Sequence, residues 1–261
     1  MKLNDAISAV VTGGASGLGA ATAAILAGQG VKVALFDVND DAGEQHAKTI
    51  GGRFFRCDVT DTGSIEAALA AANEAHGIAR IVVNCAGIAI GKRMVRRDRD
   101  TGAVVAHDNA SFERVIAINL IGTFSVISRA AAAMMALPPV DDSGERGVIV
   151  TTSSVAAEDG QIGQVAYAAS KGGVAAMTLP VARDLAKDGI RVVAIMPGLF
   201  ETPMFAGLPD EARQALAANV PFPPRLGRPD EYAMLVKQIC ENQMLNGSAI
   251  RLDGAIRLPP R

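Results

Sequence analysis

The sequence predicts an α/β protein in which a doubly wound parallel sheet is covered by helices on both faces. Short apolar runs rich in β-branched residues alternate with Ala-rich segments of helical pattern along most of the chain. The runs VKVALF, ARIVVNC and GVIVTT have almost no polar alternation, as expected for strands buried on both faces of a parallel sheet. The predicted strands occupy residues 6–12, 31–36, 53–57, 80–85, 147–152 and 190–196.

The sequence favours a single domain. The chain has 261 residues, which at roughly 100–200 residues per domain allows one large domain or two small ones. We expect one domain over residues 1–261, because the glycines are spread out, no repeat is present, and the most linker-like stretch is the short PPVDDSGERG.

Pro180 lies in the predicted helix after Lys171 and should kink that helix or end its first half, because proline lacks an N–H.

Composition and charge exclude several classes of protein. Apolar residues make up 49% of the chain and charged residues 20%, which is too apolar for a disordered protein. A formal net charge of −2 gives no global positive field, so we expect neither a nucleic-acid nor a membrane partner. No uninterrupted run approaches the roughly 18 apolar residues of a membrane span, and residues 1–5 lead directly into a predicted strand. We therefore expect a cytoplasmic protein.

The cysteines and histidines indicate no metal site. Cys57, Cys85 and Cys240 are too widely spaced for a zinc pair or a disulfide framework in a chain of this size. The three histidines are scattered without ligand spacing. We expect no bound metal and a reducing compartment.

The first predicted strand runs into a glycine-rich turn, TGGASGLG, that opens an Ala-rich helix. Glycine lets the backbone approach a pyrophosphate, and a helix start offers unpaired N–H groups with partial positive charge. Ala20 and Ala21 follow the last glycine where a Walker A loop needs Lys and then Ser or Thr, which argues against an NTPase. The spacing departs from G-x-G-x-x-G, so a plain tight turn stays open as an alternative. The candidate phosphate-binding glycines are Gly13, Gly17 and Gly19.

Polar residues end the next three predicted strands. Asp37 ends the second strand, 24 positions after Gly13. A carboxylate there accepts hydrogen bonds from the adenosine ribose and repels a 2′-phosphate, and the next three residues, VND, offer no cation. The sequence therefore predicts NAD rather than NADP. Asp58 and Val59 follow the third strand, and Asn84, Cys85, Ala86 and Gly87 come at the end of the fourth. Open α/β sheets bind ligands at the carboxyl ends of their strands, so we expect both stretches to contact the cofactor, although either alone could be ordinary turn chemistry.

Tyr167 and Lys171 form the strongest candidate for catalysis. Their i, i+4 spacing puts them on one face of a helix, and Ser154 lies 13 residues before Tyr167. A phenol with a pKa of about 10 is a poor base at neutral pH, and lowering that pKa to ~7 takes roughly 4 kcal/mol. We expect the Lys171 ammonium to lower it, and Ser154 to hold the substrate oxygen. Y-x-x-x-K alone is a weak motif, but its combination with Ser154, the glycine loop and Asp37 favours a catalytic site.

Together these residues resemble the short-chain dehydrogenase/reductase family over nearly the whole chain. TGGASGLG resembles the family's T-G-x-x-x-G-x-G loop, NCAG at residues 84–87 resembles its N-N-A-G motif with Cys for the second Asn, and Asn119 sits where the family keeps a helix asparagine. The resemblance implies a Rossmann fold with Tyr167 as acid/base and Lys171 as the residue that lowers its pKa and binds the nicotinamide ribose. It also implies that Ser154 orients the substrate oxygen and that Asn119 supports a water-linked proton relay.

The same resemblance implies further contacts with the cofactor. Pro197-Gly198 resembles the family's turn after the sixth strand, which implies that Phe200 and Thr202 contact the nicotinamide and a phosphate. Pro197, Ser16, Leu18 and Cys85 would line the same cofactor.

Longer stretches, such as SSVAAEDGQIGQVAYAASKGGVAAMTLPVARDLA and LNGSAIRLDGAIRL, resemble the type II 3-hydroxyacyl-CoA dehydrogenases within that family. This resemblance implies NAD-dependent oxidation of the 3-hydroxyl of a short or medium acyl-CoA. Members also act on 2-methyl-3-hydroxybutyryl-CoA. It further implies a homotetramer with residues 250–261 near a subunit contact.

Other functions stay open. Residues 199–225 are expected to bind substrate, and an apolar cleft near Phe200, Met204 and Phe205 would also suit a hydroxysteroid or other secondary alcohol. Asp37 disfavours a 3-oxoacyl carrier-protein reductase, since such enzymes usually take NADPH. A non-catalytic NAD-binding scaffold is the remaining alternative, against which the intact Ser154 and Tyr167 count.

Residues 91–110 are longer than a simple connection and strongly basic. Connecting loops are typically ~4–6 residues, and long ones are often functional. The run Lys92, Arg93, Arg96, Arg97 and Arg99 is either a solvated loop or a site for the phosphates of coenzyme A.

Overall fold

Seven parallel strands form the central sheet of the protein, seen in a computed structural model that describes residues 1–203 and 209–260. A short antiparallel hairpin, β5 (Val95–Arg97) and β6 (Val104–Ala106), lies outside this sheet. The strands of the main sheet are β1 (Ser8–Thr12), β2 (Lys32–Asp37), β3 (Arg53–Arg56), β4 (Ile81–Asn84), β7 (Gly147–Thr152), β8 (Ile190–Pro197) and β9 (Ala249–Leu252). Their order is β3-β2-β1-β4-β7-β8-β9, and every neighbouring pair is parallel, which confirms the predicted fold class.

All six predicted strands are present, with ends that differ from the prediction by at most two residues. The seventh strand, β9, has no counterpart in the sequence analysis; it pairs with β8 in the register Ala194↔Ala249. The predicted long loop at residues 91–110 also contains more structure than expected, because β5 and β6 pair within it.

Helices cover both faces of the sheet. The described helices are α1 (Gly17–Gly28), α2 (Asp40–Ile50), α3 (Thr62–His76), α4 (Asn109–Ile116), α5 (Thr123–Met134), α6 (Val165–Asp184), α7 (Asp210–Ala217) and α8 (Pro229–Glu241). Val11 packs with apolar side chains of α1, α2 and α8, whereas Val10, which points to the opposite face, packs with those of α3, α5 and α6. Burying one such side chain contributes roughly 1.5–3 kcal/mol, so the sheet is held from both sides.

Pro180 does not end α6, which is helical from Val165 to Asp184. Of the two effects expected of Pro180, the ending of the first half of the helix is therefore wrong, and a kink stays a prediction. Pro180 and Ala176 lie on the exposed face of α6, so the Ala176 carbonyl that loses its N–H partner faces solvent.

A wide π turn, Ala117–Gly122, joins α4 and α5 into one helical stretch. By length and composition alone this stretch, Asn109–Met134, could cross a membrane, which differs from the sequence expectation because that expectation counted only uninterrupted apolar runs. Here one side of the stretch, with Val126, Ile127 and Met134, is buried against the sheet.

Candidate active site

A cleft of about 870 Å³ opens at the carboxyl ends of the strands, between β1 and β4, where the strand order reverses. Open α/β sheets bind ligands at this point. Most of the residues singled out in the sequence line it. They are Gly13, Ser16, Gly17, Leu18, Gly19, Asp37, Asp58, Val59, Cys85, Ala86, Gly87, Ser154, Tyr167, Lys171, Pro197, Phe200 and Thr202.

The glycine-rich turn forms a close-packed cradle between β1 and α1. A Cβ atom on Gly13 would lie 2.8 Å from the backbone nitrogen of Ala86, and one on Gly19 would lie 2.1 Å from the carbonyl oxygen of Gly13. The Ser16 side chain makes no capping hydrogen bond, and the first turn of α1 has no acidic residue. The first N–H groups of α1 are therefore available to an anion, and the cradle fits the pyrophosphate of a dinucleotide.

Asp37 is held in the cleft by two backbone N–H groups. Its Oδ2 accepts a hydrogen bond from the Ala15 N–H at 3.1 Å, and its Oδ1 accepts one from the Asn39 N–H at 3.1 Å. The carboxylate is thus fixed beside the glycine-rich turn, as the NAD prediction requires.

Arg56 is a nearby cation that the sequence reasoning missed. It ends β3, beside Asp37 in the register of β2 and β3. Its Nη1 donates to the Val38 carbonyl at 3.0 Å and forms an ion pair with Asp40 at 2.6 Å. Asp40 therefore already neutralises the positive charge of Arg56.

Asp58 and Val59 line the cleft but also make structural contacts. The Oδ1 atom of Asp58 accepts hydrogen bonds from the N–H and hydroxyl of Thr60 at 2.9 and 2.7 Å, and these bonds lower the pKa of Asp58. Val59 packs against the π turn, because a Cβ atom on Gly122 would lie 2.8 Å from its side chain.

Asn84 does not line the cleft, and its contact with the cofactor stays a prediction. Side chains alternate along a strand, and Asn84 points to the same face of the sheet as Val82, into the layer under α5 and α6. The next residue, Cys85, lines the cleft instead.

Asn119 is fully buried in the π turn and does not line the cleft. Its Oδ1 accepts the Ile88 N–H at 2.8 Å, and its Nδ2 donates to the Ile88 carbonyl at 2.9 Å and to the Ser170 hydroxyl at 3.0 Å. Asn119 therefore fixes the backbone that follows Gly87. The water-linked relay implied by the family resemblance stays a prediction.

Ser154, Tyr167 and Lys171 meet at the end of the cleft. Ser154 follows β7, and its hydroxyl hydrogen-bonds the phenol of Tyr167 in α6. Lys171 is buried one turn further along α6, with Nζ 5.8 Å from the centroid of the Tyr167 ring. The predicted constellation of Ser, Tyr and Lys is therefore assembled at one place.

The pKa of Tyr167 does not follow the expectation that the charge of Lys171 lowers it. Burial raises the pKa of Tyr167, and the effect that opposes burial is the hydrogen bond with Ser154, not the charge of Lys171. The Lys171 ammonium donates a hydrogen bond to the Thr152 carbonyl at 2.7 Å, and burial lowers the pKa of Lys171 to about 8.

Two residues that the sequence reasoning missed surround Cys85. The hydroxyls of Thr152 and Tyr232 lie 2.7 Å apart, and the Cys85 sulfur lies 3.5 Å from the first and 3.7 Å from the second. Tyr232, on α8, is fully buried. No local pattern marks Tyr232, because only the packing of α8 brings it under the cleft.

The remaining wall of the cleft comes from later parts of the chain. Leu199, Pro203 and Leu216 line it, and the binding of substrate by residues 199–225 stays a prediction. Met204 and Phe205, expected in the same region, lie outside the described residues. Gln161, Gln164 and Leu258 also line the cleft and were not predicted.

Comparison with known proteins shows to which family the chain belongs. Residues 8–213 match the short chain dehydrogenase family. The chain is 52% identical over 254 residues, 97% of this chain and 95% of the relative, to the 3-hydroxyacyl-CoA dehydrogenase type-2 of Rattus norvegicus. It is 51% identical over 260 residues, 99% of this chain and 100% of the relative, to the protein of that name from Drosophila melanogaster. The crystal structure of 3-hydroxyacyl-CoA dehydrogenase type-2 from Mycobacterium avium matches with a TM-score of 0.93 and 40% identity, covering 100% of both chains. The fold, the site and these matches identify the chain as a member of the short-chain dehydrogenase family.

Proposed function

We propose that the protein catalyses the NAD-dependent oxidation of the 3-hydroxyl of a short or medium 3-hydroxyacyl-CoA to the 3-oxoacyl-CoA. The observation that carries this proposal is the meeting of Ser154, Tyr167 and Lys171 beside the glycine cradle and Asp37 in one cleft. The substrate class rests on the names of relatives that share about half of the sequence over nearly its full length.

Ser154 and Tyr167 handle the proton of the substrate. The Ser154 hydroxyl donates a hydrogen bond to the substrate oxygen, and the phenolate form of Tyr167 accepts the hydroxyl proton at Oη, becoming the neutral phenol as the hydride leaves carbon 3. NAD, when bound along the glycine cradle and Asp37, supplies the acceptor for that hydride. In the reverse direction Tyr167 returns the proton to the carbonyl oxygen. Lys171 contributes positive charge near the developing phenolate.

Asp37 supports the choice of NAD over NADP. Its carboxylate is available to the ribose hydroxyls and repels a 2′-phosphate. Arg56, which lies beside Asp37 in the register of β2 and β3, is paired with Asp40 and offers little compensation.

A second pocket, of about 430 Å³, supports binding of the coenzyme A part of the substrate. It lies between the β5–β6 hairpin and residues 160–165, and it shares Gln161 and Gln164 with the main cleft. Lys92 and Arg93 line this pocket. Lys92 is partly neutralised by an ion pair with Asp108 at 2.6 Å, so Arg93 is the stronger candidate for a phosphate contact.

Two exposed apolar surfaces support the homotetramer. Ile121 and Phe124, three residues apart and each 55% exposed, lie on the outer side of the α4–α5 stretch. Phe222, before α8, and Met234, within α8, are also exposed. Two separate self-complementary surfaces generate a tetramer with dihedral symmetry. We also propose a cytoplasmic location, which the unpaired thiols of the three cysteines favour.

Steady-state kinetics of the wild-type protein test the proposed function. We expect NAD reduction with 3-hydroxybutyryl-CoA and longer 3-hydroxyacyl-CoA substrates, at a kcat/KM at least a hundredfold above that for secondary alcohols without coenzyme A. Equal or better turnover of a hydroxysteroid would favour the secondary-alcohol alternative. Binding of NAD without turnover of any alcohol would favour the scaffold.

A further inference from the structure

The segment 256–260 runs along the catalytic end of the cleft. The carbonyl of Pro259 accepts a hydrogen bond from Gln161 Nε2 at 2.9 Å, and the carbonyl of Pro260 accepts one from the Ile162 N–H at 3.0 Å. Leu258, between these contacts and β9, lines the cleft itself. The segment therefore packs against the loop that connects Ser154 to α6.

Sheet topology indicates which ligand this segment faces. The cleft runs across the carboxyl ends of the strands, and Asp37 and Asp58 follow β2 and β3 at one edge of the sheet. Ser154 follows β7, and residues 256–260 follow β9 at the opposite edge. Ser154 thus lies between the adenosine end of the cleft and Leu258. Leu258 is on the side of the cleft where the substrate would bind.

Arg251 links this segment to the loop after Ser154 by ion pairs and a hydrogen bond. Its guanidinium forms ion pairs with Asp159 at 2.8 Å and with Glu158 at 2.5 Å, both on that loop. It also pairs with Asp253 at 2.7 Å and donates to the Ile256 carbonyl at 2.9 Å. One half-buried side chain thereby connects β9, the turn after it and the loop that carries Gln161.

Arg257 provides a matched comparison in the same turn. Its guanidinium also approaches Asp159 and Asp253, but at 3.9 and 3.7 Å, and its side chain is 65% exposed. Contacts of this length and exposure hold little structure in place.

We propose that Leu258, Pro259 and Pro260 form a wall of the substrate site, that Leu258 contacts the acyl chain and sets chain-length preference, and that Arg251 is the positioning residue for this wall. This inference rests on the proposed oxidation of 3-hydroxyacyl-CoA. Gln161, whose amide is oriented by the Pro259 carbonyl, lies where the same wall meets the second pocket. The acyl chain and the coenzyme A part would then be bound on either side of Gln161.

The test compares kcat/KM for 3-hydroxybutyryl-CoA and 3-hydroxyoctanoyl-CoA in Leu258→Ala, Leu258→Trp, Arg251→Gln and Arg257→Gln. Leu258→Ala removes an apolar contact and should raise the KM for the octanoyl substrate about fivefold to tenfold, with a smaller effect on the butyryl substrate. Leu258→Trp narrows the site and should lower kcat/KM for the octanoyl substrate at least tenfold more than for the butyryl one. Arg251→Gln should raise both KM values, whereas Arg257→Gln should match the wild type.

NAD affinity, measured by fluorescence titration of NADH, serves as the internal control. It should stay within twofold of wild type in all four variants, which a general loss of structure would not allow. If both Leu258 variants keep the wild-type ratio of kcat/KM for the two substrates, the assignment is overturned. A wild-type protein that turns over neither acyl-CoA would overturn the proposed function itself, and this assignment with it.

Discussion

The ammonium nitrogen of Lys171 lies 2.7 Å from the carbonyl oxygen of Thr152, the last residue of β7. A backbone dipole, not a carboxylate, thus faces this buried cation. A carbonyl compensates only part of the cost of removing an ammonium from water, and burial accordingly lowers the pKa of Lys171 to about 8.

The first prediction concerns the pH dependence of stability. Below pH 8 Lys171 is charged in both states, and the folded protein carries the cost of burying the charge. Above pH 8 the folded state releases the proton while the unfolded state, with a pKa near 10.5, keeps it, so stability rises with pH across this window. Lys171→Met removes that contribution. We expect the unfolding free energy of wild type, relative to Lys171→Met, to increase by roughly 3 kcal/mol between pH 8 and 10.5.

Urea unfolding of both proteins without cofactor, at several pH values in that window, measures this difference. Titrating groups without an interaction with Lys171, such as the thiols of Cys57 and Cys240, affect both proteins equally and cancel, whereas the Lys171 charge lowers the pKa of Cys85, so that thiol is changed to Ser in both proteins. Parallel stability curves would show that Lys171 keeps an ordinary pKa.

Replacing Tyr167 with Phe should remove catalysis while keeping cofactor binding. The substitution deletes the oxygen that accepts the proton but keeps the buried ring. Loss of general acid/base catalysis lowers kcat by ~10²–10⁴-fold. Single-turnover kinetics give the chemical rate, and NADH titration should give a Kd within twofold of wild type. A variant that retains more than about a tenth of the wild-type chemical rate contradicts the role assigned to Tyr167.

Cofactor preference should reverse when the charge beside the ribose is changed. Asp37→Ser removes the repulsion of a 2′-phosphate, and Val38→Arg adds a cation, so the double variant should prefer NADP. The wild type should prefer NAD by at least a hundredfold in kcat/KM. Arg56→Gln is the control, because Arg56 already pairs with Asp40 and its loss should leave the NAD preference unchanged. Similar kcat/KM values of wild type for the two cofactors would refute the assignment of Asp37.

Neutralising the basic hairpin should weaken acyl-CoA binding. Exposed charge contacts are worth ~0.2–1 kcal/mol each, so changing Lys92, Arg93, Arg96 and Arg97 to Gln should raise the KM for acyl-CoA by about tenfold and reduce its salt dependence. Turnover of an alcohol without coenzyme A should hardly change. The control is Lys32→Gln with Lys187→Gln, which alters charge at the amino ends of β2 and β8, away from the cleft. An unchanged KM at low salt would make the hairpin a solvated insertion.

Charging an exposed apolar surface should divide the assembly. Light scattering of the wild type should give a mass near four times that of the 26.9 kDa chain. Ile121→Glu with Phe124→Glu places two carboxylates on the outer side of the α4–α5 stretch and should yield a dimer, if the surface around α8 stays paired. A monomeric wild type would remove the basis for the tetramer.

Features defined by spacing along the chain were predictable from the sequence. The glycine cradle, Asp37 at a strand end, and the i, i+4 pair of Tyr167 and Lys171 each need only local geometry. Contacts made by tertiary packing were not predictable in this way. Arg251 contacts Asp159, 92 positions away in the sequence, and Cys85 contacts Tyr232, 147 positions away. The sequence around either residue therefore does not identify its partner.

Local patterns also do not show how two consecutive residues divide between the core and the cleft. Asn84 and Cys85 are consecutive, but strand alternation sends the first into the core and leaves the second at the cleft. The shift in the pKa of Tyr167 depends on burial and on the hydrogen bond with Ser154, and neither follows from spacing.

The π turn at Ala117–Gly122 holds one residue more than a regular helical turn, because its hydrogen bonds span five residues instead of four. Arg114 and Ile118, before and within the turn, line the cleft, whereas Val126 and Ile127 after it are buried in the core. The turn is therefore the one point of this stretch at which a residue can be lost by closing the π turn into a regular α turn, with α4 and α5 keeping their faces. A deletion within α5 has no such compensation, because each residue of an α-helix advances it by about 100° and the residues after the deletion would turn away from the core by that angle.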